Sequence, residues 1–257
     1  MVKISNILVD EDLEKTFVIE DANSAFVNEI KRAAASQVPV MAIEDIFFID
    51  NSSALYDEIL AQRLGLIPLT TGKEYKLKET CKCKGKGCAL CRAKLTLKVK
   101  GPKMVYASDL EAKDPKVKPI YPEMLIVELL EGQEIELEAH AILGIGEEHA
   151  KWSPCLAYYQ KYPKITIDQK KVSVKVALEH CPKDVFEVEN KKLKVKNLLN
   201  CNLCKSCEDR TNGAIKISGE ASKYIFTIES WGQLPPQDIL KQSVKIINSK
   251  IKDAKLK

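Results

Sequence analysis

Apolar residues along this chain recur first at every second position, then at helical spacing, and the two rhythms alternate to the end. Lys3–Val9 and Leu13–Glu20 read as strands around an Asp10-Glu11-Asp12 turn, with Phe17 and Ile19 on one face. Asp21 or Asn23 can cap a helix running to about Ser36, and Phe26, Ile30, Ala33 and Ala34 form its predicted buried stripe. A short helix is predicted over Asp57–Leu69. Asn51, Ser52 and Ser53 are candidate caps, Leu55, Ile59 and Leu60 its apolar face, Gly65 its C-cap, and Pro68 its stop. Alternation returns at Leu95/Leu97/Val99 and at Ile135/Leu137/Ala139/Ala141, then at Val172/Val174/Val176, and last at Tyr224–Ile228, all predicted strands. Pro235-Pro236 suits the first turn of a final helix. On that helix Leu240, Val244, Ile247 and Ile251 form a heptad-like seam. A seam of about two heptads is too short for a free coiled coil, so it needs a covering surface, from this chain or from a partner.

Composition narrows the classes. The chain has 257 residues, 45% of them apolar and 30% charged, which gives ample core and no disorder signature. A net charge of +4 is too small and too spread to argue that the whole chain binds nucleic acid. No apolar run approaches the ~20 residues of a membrane span, and Met1–Asn6 lacks the pattern of a signal peptide, so a cytoplasmic location is expected. In a reducing compartment nine cysteines point first to metal or cluster ligation.

The cysteines fall into two sets. Cys81, Cys83, Cys88 and Cys91 stand within one short loop whose Gly85 and Gly87 let it fold inward. Ten lysines and one arginine lie between residues 71 and 103, against Glu74 and Glu79, and favour thiolates. The set suits tetrahedral zinc, or two disulfides in a hot, poorly reducing cytosol. Cys201, Cys204 and Cys207 have the spacing of the first three ligands of a bacterial-type ferredoxin run. The expected fourth cysteine is replaced by Thr211-Asn212, but Cys181-Pro182 supplies a Cys-Pro pair upstream. With Cys181 the set could hold [4Fe–4S]; without it, [3Fe–4S]. A four-cysteine zinc knuckle is the plainer alternative. No flavin or nicotinamide motif accompanies the set, which favours stapling of a small segment over electron transfer. Cys155 reads as a small buried hydrophobe, and His149 and His180 as packing neighbours rather than catalysts.

Two longer blocks carry a family resemblance. Val38–Ile43 with Asp57–Leu69, and then Gly144–Pro154, resemble in order the diagnostic segments of the α-like assembly subunits of RNA polymerase, the archaeal D type in particular. The resemblance implies an α+β fold in three parts. Residues 1–40, 156–168 and 217–257 would form a discontinuous α-like dimerisation domain related to the bacterial α N-terminal domain. Residues 41–155 would form a mixed α/β insert domain with the cysteine-rich loop, and 169–216 a small ferredoxin-like iron–sulfur insert. It further implies a non-catalytic role within a nucleotidyltransferase complex. First and last helices, including Phe26 and Ile30, would dock on a smaller α-like chain, subunit L. Small subunits N and P and the large catalytic subunits would also be partners, with no direct DNA contact expected. Zinc at the first cysteine set and an iron–sulfur cluster at the second occur among such proteins. The rival readings are a ferredoxin-like electron carrier and a zinc-dependent nucleic-acid-binding module.

Overall fold

The computed structural model describes residues 2–72 and 74–254. In chain order the elements are β1 (Lys3–Asp10), β2 (Glu14–Glu20), α1 (Ser24–Ser36), β3 (Val40–Asn51), α2 (Asp57–Gly65), β4 (Ala93–Lys100), β5 (Lys103–Tyr106), β6 (Glu111–Ala112), β7 (Leu125–Leu129) and β8 (Glu134–Gly144). They continue with β9 (Cys155–Ile167), α3 (Val174–His180), β10 (Phe186–Glu189), β11 (Lys192–Val195), α4 (Ser206–Arg210), β12 (Ile215–Ser230) and α5 (Pro236–Asp253). The chain divides into two compact units, one of residues 2–10, 16–28 and 158–227, the other of 11–15, 29–157 and 228–254.

The first unit holds most of a four-stranded sheet in the order β1-β2-β12-β9. Phe17 packs on Phe226 with ring centroids 5.5 Å apart, and the buried Thr16 and Thr227 hydroxyls share a 2.9 Å hydrogen bond. A small second core forms around Ala177, Val185, Phe186, Leu193, Ile215 and Ile217. Here the structure departs from the predicted strand at Val172/Val174/Val176. Residues Val174–His180 are helical, with the Ala177 N–H donating to the Ser173 carbonyl at 3.1 Å. The helix puts Ala177 into the core, with Val172 and Val174 partly buried against it. Tertiary packing overrides the strand preference of valine.

The second unit is built on an antiparallel sheet ordered β3-β8-β4-β6, with β5-β7 as a separate pair. β8 alternates as the sequence predicts: Ile135, Leu137, Ala139 and Ala141 face the core, opposite Val99, Leu97, Leu95 and Ala93 of β4. On the other face Lys98 meets Glu136 at 2.7 Å and Lys100 meets Glu134 at 2.8 Å. Exposed pairs of this kind contribute about 0–1 kcal/mol, so the buried face determines register.

The predicted helices form, with corrections at their ends. Asn23 caps α1, its Oδ1 accepting the Phe26 N–H at 2.8 Å, whereas Asp21 takes φ 57° outside the helix. Phe26 is 40% exposed rather than part of a buried stripe; Val27, Ile30, Ala33 and Ala34 are buried. α2 starts at Asp57 without a side-chain cap, because Asn51 and Ser53 are spent on the preceding turn: Asn51 Nδ2 donates to the Leu55 carbonyl at 3.0 Å and to Asp57 at 2.7 Å. Its inward residues are Leu60 and Leu64, while Ile59 is exposed. Gly65 is the last helical residue, and Leu66 is a right-handed C-cap.

Candidate metal centres and partner surfaces

The cysteine-rich loop is a run of tight turns. The Lys84 N–H donates to the Cys81 carbonyl at 3.0 Å and the Cys91 N–H to the Cys88 carbonyl at 3.0 Å. Lys84, Gly85 and Gly87 take φ of 51°, 81° and 87°, a left-handed path that turns the chain back on itself. As a result the four Sγ atoms lie within 4.8 Å of one another. Cys81–Cys88 is 3.6 Å, Cys83–Cys91 3.5 Å and Cys88–Cys91 3.9 Å. A zinc ion with four thiolates at about 2.3 Å requires sulfur–sulfur edges of roughly 3.8 Å, so the set fits one tetrahedral ion. Cys81 and Cys91 are buried and Cys83 and Cys88 half-buried; all nine cysteines of the chain are free thiols. Burial pushes the Cys91 thiol up to about 12. Burial also works upward on Cys83, but hydrogen bonds from Cys91, the Gly87 backbone, Cys81 and Cys88 outweigh it and hold that thiol at about 6. Tyr75 anchors the loop's base, its hydroxyl donating to Asp114 at 2.7 Å.

The second set is laid out differently. Cys181, Cys201, Cys204 and Cys207 line one recess, together with the apolar side chains of Val185, Phe186 and Ile217. Among the described residues these sulfurs do not form a group as tight as the first. Cys201 and Cys207 are buried, Cys181 is half-buried and Cys204 exposed. Burial, and then the charge of Cys181, pushes Cys207 up to about 11; Cys201 is also raised, by burial first and then by Cys204 and Cys181. Leu203 and Lys205 on either side of Cys204 have φ of 59° and 61°, a backbone that side-chain-bearing residues seldom adopt. These four thiols thus share one apolar-walled recess, on backbone held in that conformation. His180 lies in the wall, its Nδ1 3.0 Å from the Val176 carbonyl.

The two diagnostic blocks meet in space. Lys151 reaches the Ile43 carbonyl at 3.1 Å and pairs with Glu44. Gly144 is required by the Trp152 ring, which would lie 2.3 Å from a Cβ built there. Leu66 and Pro68 from the first block, and Ala150, Lys151 and Ser153 from the second, line a common hollow with Tyr121, Met124, Trp231 and Gln233. Trp231 and Gln233 carry no local motif; their place is visible only in the fold. Along α5 the inward face is Pro236, Ile239 and Ser243. The predicted seam points away: Val244 is 42% and Ile251 65% exposed, with Leu240 and Ile247 half-buried. Cys155 is buried as expected, its thiol pushed up to about 12 by burial.

Comparison with known proteins then decides the family. A family model described as the RNA polymerase Rpb3/RpoA insert domain matches residues 43–155. DNA-directed RNA polymerase subunit Rpo3 of Methanosphaera stadtmanae is 41% identical over 251 residues, covering 93% of each chain. The chain belongs to the Rpo3 family of RNA polymerase subunits. The Rpo3 subunit of Methanopyrus kandleri is 36% identical over 95% of this chain and 91% of its own. That of Methanothermobacter thermautotrophicus is 40% identical over 93% and 92%. Membership supports the α-like resemblance read from the two blocks, the mixed α/β fold with an α-type insert domain, and a place among the subunits of a polymerase. Among the described residues no helix is long and apolar enough to cross a membrane.

Proposed function

We propose that this chain is a non-catalytic assembly subunit of DNA-dependent RNA polymerase, working in the cytoplasm. It pairs through its first and last helices with a smaller α-like chain, subunit L, and scaffolds subunits N and P and the large catalytic subunits. Residues 1–40, 156–168 and 217–257 serve as the dimerisation domain, 41–155 as the insert domain and 169–216 as the cluster-binding domain. The observation that carries the reading is α5. Its buried residues, Pro236, Ile239 and Ser243, all lie in its first half, and along the seam Val244 and Ile251 are exposed and Leu240 and Ile247 half-buried, while Phe26 of α1 is 40% exposed. An apolar stripe of that length gains most by packing on another helix.

In the same reading Cys81, Cys83, Cys88 and Cys91 hold zinc, which would staple a loop with little core of its own. Cys201, Cys204 and Cys207, with Cys181 as fourth ligand, hold an iron–sulfur cluster that stabilises the small insert. The exposure of Cys204 favours a second reading, a cluster that exchanges electrons with a donor. Rapid reversible exchange with a physiological donor would support it.

The test mixes the purified chain with the small α-like subunit on a sizing column. The wild type should elute as a one-to-one complex, and V244D/I247D should weaken pairing by at least about a hundredfold, the scale of a lost hot spot. A wild-type chain that stays monomeric beside that partner would overturn the proposal. Iron, sulfide and zinc analysis of anaerobically purified protein tests the two metal assignments separately.

A further inference from the structure

Lysines of the second unit fall into two populations. Those on β4 and around it are neutralised within the chain: Lys98 meets Glu136 at 2.7 Å, Lys100 meets Glu134 at 2.8 Å, Lys116 meets Glu74 at 2.7 Å, and Lys94 pairs with Glu138. Lys76, Lys78, Lys82, Lys84 and Lys86 of the cysteine-rich loop are all exposed, and among the described residues none of them makes an ion pair. Arg92, half-buried at the end of the loop, has no carboxylate partner there either. Residues 76–92 thus hold six cations against one carboxylate, Glu79, a formal +5 where the whole chain carries +4.

The fold gathers these charges. The Lys76 N–H donates to the Leu90 carbonyl at 2.8 Å, which closes the loop at its base. Lys78 runs along Gly85, where a Cβ would stand 3.8 Å from its Cγ, and the Arg92 guanidinium lies over Gly87, its Cζ 2.6 Å from where a Cβ would be. Cations from both arms of the loop are therefore brought close. Arg92 also lines a hollow with Lys113, which is exposed and likewise unpaired, so the basic surface extends past the loop. Like charges held together without counter-charges repel, and an anionic partner relieves that cost. Four thiolates around a zinc ion would carry about −2, which leaves the loop positive.

The side-chain chemistry narrows the partner. Flexible lysines act as point charges suited to successive phosphates, whereas planar recognition of carboxylates favours arginine, and the loop has one. No Phe, Tyr or Trp lies between residues 76 and 92, so the loop has no platform on which unpaired bases could stack. We propose that the Lys76–Arg92 loop is a sequence-independent contact for the phosphate backbone of duplex DNA. The choice of DNA rests on the assembly reading above, but the contact itself is separate from the α5 seam. The charge of the whole chain argued against nucleic acid because it is spread; here the fold concentrates it.

The experiment follows fluorescence anisotropy of a labelled DNA duplex of about 30 base pairs with the full chain, from about 50 to 200 mM salt. About five phosphate contacts should give log affinity against log salt a slope near −4.5. K82Q/K84Q/K86Q should reduce that slope by about three, and K76Q/K78Q by about two. K94Q/K98Q/K100Q removes as many charges from the ion-paired set and should change the slope by less than about one. Circular dichroism and zinc content check each variant; K76Q/K78Q lies outside the ligand run and keeps the test decisive where the triple loop variant loses metal. A wild-type chain that ignores the duplex at about 50 mM salt overturns the contact. So does a β4 variant that loses as much as the loop variants, or tighter binding of single-stranded DNA or poly-glutamate than of the duplex. All variants should still pair with the small α-like subunit on the sizing column. A chain that pairs but ignores DNA loses this contact alone, and one that binds DNA but stays monomeric loses the assembly reading.

Discussion

The chain folds four thiols together in each of two places, on opposite plans. In the Cys81–Cys91 loop the sulfurs crowd within 4.8 Å, on consecutive turns. In the Cys181–Cys207 insert they stand further apart around a recess, above a small core of Ala177, Val185, Phe186 and Leu193. The first arrangement could hold one ion, and on the proposed reading depends on it for order. The second has packing of its own, and whatever fills the recess adds to that packing. That difference is why the proposal gives them different occupants, a single metal and a larger cluster.

The sharpest way to break the contrast is C91S. Structural zinc is worth about 10–16 kcal/mol in small zinc-binding peptides, so losing a buried ligand should take metal content from about one per chain to near zero. Limited proteolysis should then cut the loop while the Cys181–Cys207 insert stays protected. Retained metal, or an intact loop without it, would remove the claim that the loop depends on the ion.

Acidification comes next. Burial holds Cys91 at about 12; at Cys81 a hydrogen bond from the Cys83 backbone works downward, but burial and hydrogen bonds with the Cys83 and Cys88 thiols outweigh it and raise that thiol. Both must release protons to bind metal, so affinity rises with pH and is lost as pH falls. Cys83, at about 6, is already ionised above that value and adds to the loss only below it. Competition with a chelator between pH 8 and 6 should show at least about two decades of affinity per pH unit, the two protons displaced. A flat profile would contradict the four-thiolate site.

Third, F186A removes the largest apolar side chain beneath the second set and should cost about 3–5 kcal/mol. Hydrogen exchange should open the Phe186–Val195 hairpin while amides of the β3-β8-β4 sheet and the zinc content stay unchanged. If the insert holds its protection, its stability comes from the bound group rather than from the core, and the contrast between the two sets disappears.

Much of this was legible in the residues themselves. Strict alternation at Ile135–Ala141 and Leu95–Val99 identified strands with one buried face, because period two has no other use there. The two cysteine sets declared themselves by spacing, since ligands of one metal tend to be close in sequence. Val172–Val176 reads as a strand because valine alternating with Ser173 and Lys175 fits a strand as well as a short helix, and the small core that takes Ala177 is assembled from Phe186, Leu193 and Ile217, distant along the chain. Asn51 looks like a helix cap in the sequence, but it satisfies the turn that comes before the helix. Sequence alone thus determined the family blocks, the strands, and the thiols available as ligands, all properties of local spacing. Only the tertiary structure decided which residues of α5 are buried, and that Leu66 and Trp231 share the wall of one hollow. Burial is a sum over neighbours that no local pattern contains.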